Sequence, residues 1–268
     1  MWVEWFEDAG IAEPKTWEEL MAAAEALKAA GHTPFHATTQ DGWRGFIWFQ
    51  EIMLRTNPDA YEGLHDGSVP YDSDAVRNAF QIWSDWYAKG YFSDPRSTEE
   101  AADFSRGKGA IYLIGDWAIG LVEAAGMKAD DDFGVFIMPN MDPALPSSVI
   151  AEGGPIVLSK EGIEKPDVVE ALKFFVSVDG ANAWAEASGN YLGNENASPP
   201  NALVAKINQD VAENGTLAFE RWWEAVPASL QGELVAEFNR FMLDPTMETA
   251  EDVMANIQAL NAEYWADQ

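Results

Sequence analysis

Apolar positions along the chain follow a helical spacing over most of its length, broken at a few places by short continuous runs. Residues 2–9 read as a helix stopped by Gly10. Trp17, Leu20, Met21, Ala24 and Leu27 then mark one helical face. Thr16 with Glu19 three residues on has the form of a capping box, and Gly31 stands where that helix should end. Thr33 to Ala37 is a short strand-like run, followed by turn chemistry in Thr38-Thr39-Gln40-Asp41-Gly42. A strongly aromatic helix is predicted over 43–55, holding Phe46, Trp48 and Phe49. Asn57-Pro58 begins a polar loop that includes Asp66-Gly67. Asp72 or Ser73 caps the next helix, whose face is Val76, Phe80, Trp83 and Tyr87, and Gly90 ends it.

A short helix from Ser97 or Thr98 is expected to stop at Gly107, before the apolar run Ala110 to Ile114. That run reads as a buried strand. Gly115 breaks it, and Asp116 and Trp117 follow where a new helix should begin. Such a strand brings a carboxylate and a large aromatic face to the end of a sheet, where α/β proteins bind ligands. The alternative is that Trp117 is core, since tryptophan is usually well buried. Phe133 to Met138 reads as another strand, closed by Pro139. Residues 139–148, with three prolines and two serines, read as a crossing segment. Ala151-Glu152-Gly153-Gly154-Pro155 then bends into a strand, Ile156-Val157-Leu158, and the paired glycines allow close backbone approach of a ligand or another strand. Pro166 can open a helix at its first position. A second helix runs through Trp184 to Gly189, and a Gly-, Asn- and Pro-rich loop extends to Pro200. Beyond it, helices are expected near 202–212, 217–225, 230–243 and 248–265. The whole reads as helix-rich α/β.

Composition narrows the function. Apolar residues make up 47% of the 268, enough for a sizeable core. A formal net charge of −29 leaves few cations to neutralise phosphates, so nucleic acid is excluded as a partner, and anionic membrane surfaces are disfavoured. Such charge keeps a protein soluble but repels itself at low salt. Cysteine is absent, which removes disulfides, thiolate metal sites and Cys nucleophiles. Only His32, His36 and His65 are present, in no metal-binding spacing, and Gly-x-Ser-x-Gly does not occur. Neither a metal nor any other cofactor is expected. No run of about 18 apolar residues suggests a membrane span. Met1 to Trp5 has neither the basic nor the apolar region of a signal peptide.

Phe104, Gly107, Lys108, Ala110, Ile111, Tyr112, Leu113, Gly115, Asp116 and Trp117 also form a pattern. It resembles a signature of family 1 extracellular solute-binding proteins of ABC importers, the maltose-type sugar binders. Further matches lie in order along the chain. They are Phe6-Glu7-Asp8-Ala9-Gly10-Ile11 with Pro14 to Leu20, then Asp41-Gly42-Trp43, Gly90-Tyr91-Phe92, Phe133 to Phe136 and Gly153-Gly154. The resemblance implies a periplasmic-binding-protein-like fold of type II, with two α/β lobes joined by crossing segments and the ligand between them. It implies a sugar or oligosaccharide ligand, a membrane permease as partner, and an extracellular or periplasmic location. In the family, a segment the size of a small domain, about 50–200 residues, precedes the part that Phe6 to Ile11 resembles. The chain is therefore expected to hold mainly the second lobe, 1–148 plus 198–268, with 149–197 as crossing segment and remnant of the first. Ligand affinity should then be weak, and the exposed remnant is a place for self-association.

Carried over by motif, Trp117 stacks on the ligand with Asp116 beside it. Trp43 and Arg44, just after a loop, line the pocket from the same lobe, although Trp43 capping the core is an equal reading. Glu152, Gly153 and Gly154 form the crossing segment at the cleft. Trp222 and Trp223, in Arg221-Trp222-Trp223-Glu224, are reserve stacking platforms. Indole faces suit the apolar C–H face of a pyranose, and carboxylates suit its hydroxyls. Two other classes remain open at this point. A glycoside hydrolase needs two carboxylates about 5–9.5 Å apart, which 45 acidic residues can supply by accident. A helical interaction scaffold needs neither pocket nor platform.

Overall fold

The structure, a computed structural model, describes residues 1–154, 156–190 and 193–266. Pro155 of the expected bend and Tyr191 and Leu192 of the expected loop lie outside the described residues, as do Asp267 and Gln268. In chain order, α1 (Val3–Asp8) leads to α2 (Trp17–Ala29) and β1 (Phe35–His36). After a 3-10 turn at Gln40–Gly42 come α3 (Phe46–Thr56), α4 (Pro58–His65), α5 (Asp74–Ala88) and α6 (Glu100–Ser105). β2 (Ile111–Tyr112), α7 (Ala118–Ala124), β3 (Ser148–Ala151), α8 (Pro166–Phe175), α9 (Val178–Ser188) and α10 (Ala202–Glu213) follow. β4 (Leu217–Glu220), α11 (Trp222–Ala225), α12 (Gln231–Leu243) and α13 (Met247–Ala266) complete the order.

Local chemistry accounts for several boundaries. Thr16 Oγ1 accepts the Glu19 N–H at 3.2 Å and Glu19 Oε2 accepts the Thr16 N–H at 3.0 Å, a closed capping box at the start of α2. Ser73 caps α5 through the Val76 N–H. Asn57 Oδ1 accepts the Ala60 N–H at 2.9 Å with Pro58 next to it, so the expected polar loop is instead the start of α4. The described strands form two small parallel ladders. β1 pairs with β2, and β3 pairs with β4. The run expected as a strand over 110–114 is thus paired only at Ile111 and Tyr112.

Other expectations are corrected. Phe133 makes only isolated bridges, to Trp2 and Ala129, and no ladder continues to Met138. Residues 156–158 form no strand and Val157 is 78% exposed, because no neighbouring strand meets them. The strand lies earlier, in β3. The segment expected as a helix from Leu217 is β4 plus the single turn α11. The β3–β4 ladder carries exposed Leu217, Ala218 and Ala151, whereas parallel ladders are normally covered on both faces.

The core is built around α3. Ten of its eleven residues, Phe46 through Arg55, are buried. A helix buried on all sides sits at the centre of its domain. Phe49 stacks on Phe238 of α12 at 4.4 Å between ring centroids, Phe46 on Trp222 at 5.3 Å, and Trp48 meets Phe92 edge-on at 4.9 Å. A second, smaller apolar cluster joins Phe104, Ile119, Val122 and Phe133 to Leu203 and Val204 of α10. α8 has no buried residue, and Ile156, Val157, Ile163, Phe174 and Trp184 all stand exposed around it. Among the described residues no helix is long and apolar enough to cross a membrane.

Gln50, Glu51 and Arg55 are buried polar residues inside this helix and must find partners there. Arg55 pairs with Glu51 at 2.7 Å and reaches the first residue of β3, donating to Ser148 O at 2.5 Å and Ser148 Oγ at 2.7 Å. Removing one member of such a pair strands the other charge. Arg55→Ala should therefore cost about 3–5 kcal/mol in urea unfolding. Replacing both, as Glu51→Leu with Arg55→Met, should recover most of it, leaving about 1–3 kcal/mol for the unpaired Ser148 groups. A single variant no worse than the double would show that the pair is not what holds β3 to α3.

Candidate functional site

Trp43 sits in the turn that joins the 3-10 segment to α3, not inside the helix. Its loop is tied down on both sides. Thr39 donates its N–H to Pro95 O at 2.7 Å, Thr38 Oγ1 donates to Ser97 O at 2.6 Å, and Asn239 Nδ2 of α12 donates to Gly42 O at 2.6 Å. Gly42 takes φ +75°, a left-handed turn suited to glycine, and a Cβ on Gly45 would lie 2.8 Å from the Asn239 backbone nitrogen. This close approach of α12 fixes where Trp43 emerges, half-buried.

Arg44 follows it but turns inward. It is 5% exposed and forks both Nε and Nη2 onto the carboxylate of Glu100, at the start of α6. Its Cζ lies 3.3 Å from the Trp43 ring centroid and 5.4 Å from that of Trp117. A guanidinium in this place holds the two indoles by cation–π attraction. Arg44, expected at the mouth of a pocket, is thus a support beneath the rings, because Glu100 offers it a buried partner.

Trp117 caps α7 from its N-terminal side. Any Cβ on Gly115 would collide with its indole nitrogen, so the glycine before Asp116 is what lets the ring fold back. The Trp117 and Trp43 ring centroids are 6.1 Å apart at 43°, both half-buried. Asp116 departs from its neighbour. It lines an apolar cavity of about 140 Å³ with Ile114, Ile119 and Phe136, a cavity that Trp117 does not line. Although exposed, its carboxyl sits in this apolar wall, and desolvation raises its pKa above the ordinary value against the pull of the nearby backbone N–H groups.

The two adjacent tryptophans of α11 separate. Trp222 is fully buried, stacked on Phe46, with its Nε1 donating to Tyr71 Oη at 2.9 Å and its backbone N–H to Gln50 Oε1 at 3.2 Å. It belongs to the core and offers no face to a ligand. Trp223 is half-buried and rests on Phe46 at 5.8 Å between centroids, while Trp43 rests on the same ring at 6.1 Å. Trp43 and Trp223 are therefore linked across one buried phenyl, and Trp117 joins them through Trp43. Glu152, 48% exposed, pairs with Arg221 Nη1 at 2.9 Å beside Trp223. Gly153 and Gly154 stand in open space. A side-chain carbon placed on either would meet nothing within 4 Å, so no strand or backbone approaches them as expected. Sequence reasoning passed over Arg221 and Glu224 as site residues. Their three-residue spacing, which lets Arg221 Nε reach Glu224 Oε2 at 2.6 Å, was the available signal. Among the described residues no group of three His, Asp or Glu side chains could hold a metal.

A family model described as bacterial extracellular solute-binding protein matches residues 1–214. A probable sugar-binding periplasmic protein of Brucella suis biovar 1 (strain 1330) is 32% identical over 139 residues, covering 50% of this chain and 33% of that protein. The sn-glycerol-3-phosphate-binding periplasmic protein UgpB of Yersinia pestis bv. Antiqua (strain Antiqua) is 29% identical over 203 residues, covering 69% of this chain and 44% of that one. The chain thus spans a third to less than a half of the length of these relatives. Among solved structures, a chitin oligosaccharide binding protein superposes with TM-score 0.78 at 23% identity, covering 98% of this chain and 68% of that chain. The bacterial solute receptor AcbH, described as having an exclusive substrate preference for β-D-galactopyranose, gives 0.80 at 17% identity with the same coverage. These two show that the fold is that of solute-binding proteins.

The separation of Trp222 from its exposed counterparts has a measurable consequence. Trp222→Ala should cost about 3–5 kcal/mol in urea unfolding, the range for a large core side chain. Trp117→Ala should cost roughly 1–2 kcal/mol, since part of its surface is already wet in the folded protein. Equal losses would mean that Trp117 is core as well.

Proposed function

The chain belongs to the family of bacterial extracellular solute-binding proteins, and from that premise we propose that it is the ligand-binding component of an ABC importer, holding a sugar or oligosaccharide without altering it. The observation that carries this reading is the row of three half-buried indoles, Trp117, Trp43 and Trp223. Aromatic side chains left partly exposed, and braced by Arg44 and Phe46, suit the apolar face of a pyranose ring. Glu152 and Glu224 stand beside Trp223 with oxygens that can accept from hydroxyls. The names of the sugar-binding relative and of the chitin-oligosaccharide-binding structure favour the same ligand class. The alternative of a glycoside hydrolase finds no support in a family of binding proteins.

In this reading residues 1–148 with 198–268 form the lobe that carries the platform, and 149–197 crosses to a second lobe that closes over the ligand. The exposed apolar side chains of 156–184 and the uncovered β3–β4 ladder support that division, since a surface of this kind is normally covered. The same patch is where self-association would act. The permease of the importer is the partner, met outside the cytoplasm, as the periplasmic names of the relatives suggest. Closure about a hinge is the step that would present the loaded protein to it.

The reading is tested by a thermal-shift screen of neutral mono- and oligosaccharides at concentrations up to the solubility limit, because a ligand that binds only the folded state raises its melting temperature. At least one saccharide should raise it, and Trp117→Ala, Trp43→Ala and Trp223→Ala should each weaken its binding by about 1–3 kcal/mol, the range for stacking on an aromatic ring. Turnover of a labelled oligosaccharide, or a saccharide response untouched by all three substitutions, would overturn the reading.

A further inference from the structure

Arg221, Arg44 and Arg240 are each in an ion pair. Arg221 caps α11 with a side chain 16% exposed. Its Nε and Nη2 fork onto Glu224, and its Nη1 is held by Glu152 Oε2 at 2.9 Å. One edge of the guanidinium is taken by hydrogen bonds and the other faces the Glu152 carboxylate. Arg44 is 5% exposed and forked onto Glu100 through Nε and Nη2, while its Nη1 is buried without a hydrogen-bond partner. Arg240, one residue past the Asn239 that holds Gly42, is bound by Glu237 at 2.7 Å. Paired with these three cations are Glu100, Glu152, Glu224 and Glu237, in a chain of net charge −29.

We propose that this site selects solutes without a phosphate or carboxylate group, and that the Glu152–Arg221–Glu224 triad is the device that turns anions away. The inference rests on the reading of the three indoles as the ligand platform and adds the charge of what they accept. Family membership leaves that charge open, because one relative is named for sn-glycerol 3-phosphate, a phosphate ester. A guanidinium recognises phosphate through two parallel N–H groups. Glu224 occupies the Nε–Nη2 pair of Arg221, and the Glu152 carboxylate lies 2.9 Å from Nη1. An anion would have to displace Glu224, whose side chain is only 21% exposed, from the first pair, or push Glu152 away from Nη1, and in either case leave a carboxylate without its partner. It would also enter a field of its own sign. A sugar hydroxyl meets neither cost. It can donate to the exposed oxygens of Glu152 and leave the triad in place. The selection works by penalising the wrong ligand rather than by an added contact to the right one.

The test uses the full chain and its Glu152→Gln/Glu224→Gln variant, with sn-glycerol 3-phosphate and inorganic phosphate as probes, followed by tryptophan fluorescence at low ionic strength. The unaltered protein should show no saturable response to either probe. The double variant, with Arg221 released, should gain saturable binding at least tenfold tighter than any trace in the parent, and about 1 M salt should abolish the gain. Glu152→Gln alone, at a site too exposed to carry the fold, should show a smaller gain in the same direction. Saturable phosphate binding by the unaltered protein that Arg221→Met abolishes would overturn the proposal, and so would a folded double variant that gains nothing. Failure of the platform itself would look different. The unaltered protein would then respond to no neutral saccharide, whatever the phosphate result.

Discussion

The polar side chains inside α3 are the constraint on which the rest of the molecule depends. A helix enclosed on every side can bury Gln50, Glu51 and Arg55 only if each finds a partner, since an unpaired buried polar group costs more than a hydrogen bond returns. Their partners come from distant parts of the chain. Arg55 takes the start of β3 at Ser148, and Gln50 takes the backbone of Trp222. Two segments far apart in sequence are thereby fixed to one helix, and β3 and β4 pair in parallel between those anchors. The Arg221 N–H reaches Ala151 O at 3.3 Å where the ladder ends. Glu152 and Arg221 therefore leave the ladder side by side, next to Trp223.

The N-terminal end of the same helix sets the other half of the platform. Gly45 lets α12 approach, Asn239 holds the turn, and Trp43 projects from it. Arg44, one residue on, turns inward to Glu100 and braces both Trp43 and Trp117. Phe46, the first residue of α3, lies beneath Trp43, Trp222 and Trp223 together. One buried helix thus puts Trp222 in the core, holds Trp43 and Trp223 half-buried against the same Phe46 ring, and through Trp43 meets Trp117. Ile156, Val157, Ile163, Phe174 and Trp184 stay exposed.

Much of this was legible in the sequence where a local rule acts alone. The Thr16–Glu19 box, the Ser73 cap and the face of α5 follow from spacing, and Gly115 before Asp116-Trp117 correctly marked a turn that releases an aromatic ring. Legibility failed where one residue type serves two structures. Asn57-Pro58 is turn chemistry and equally the cap and first position of a helix, which is what it became. Leu217 and Phe219 alternate at strand spacing inside a stretch that also reads as a helix, and only the β3 partner decides. Ile156 to Leu158 has strand composition, but composition forms no ladder without a neighbour, and the neighbour went to Ser148–Ala151 among prolines. Trp222 and Trp223 are consecutive on one helical turn and must point to different sides. Which one faces inward depends on Gln50, Tyr71 and Phe46, none of them near in sequence.

In the proposed function, Trp43 and Trp223 on Phe46 and Trp117 at the start of α7 accept the ligand together. The most direct measurement is the indole N–H spectrum of the chain with nitrogen-15-labelled tryptophan, each of the twelve signals assigned by a single Trp→Phe variant. On addition of a saccharide that raises the melting temperature, the signals of Trp43, Trp117 and Trp223 should move together along one titration curve while those of Trp83 and Trp222 stay fixed. Movement confined to other indoles, such as Trp17 or Trp184, with these three unmoved, would contradict it.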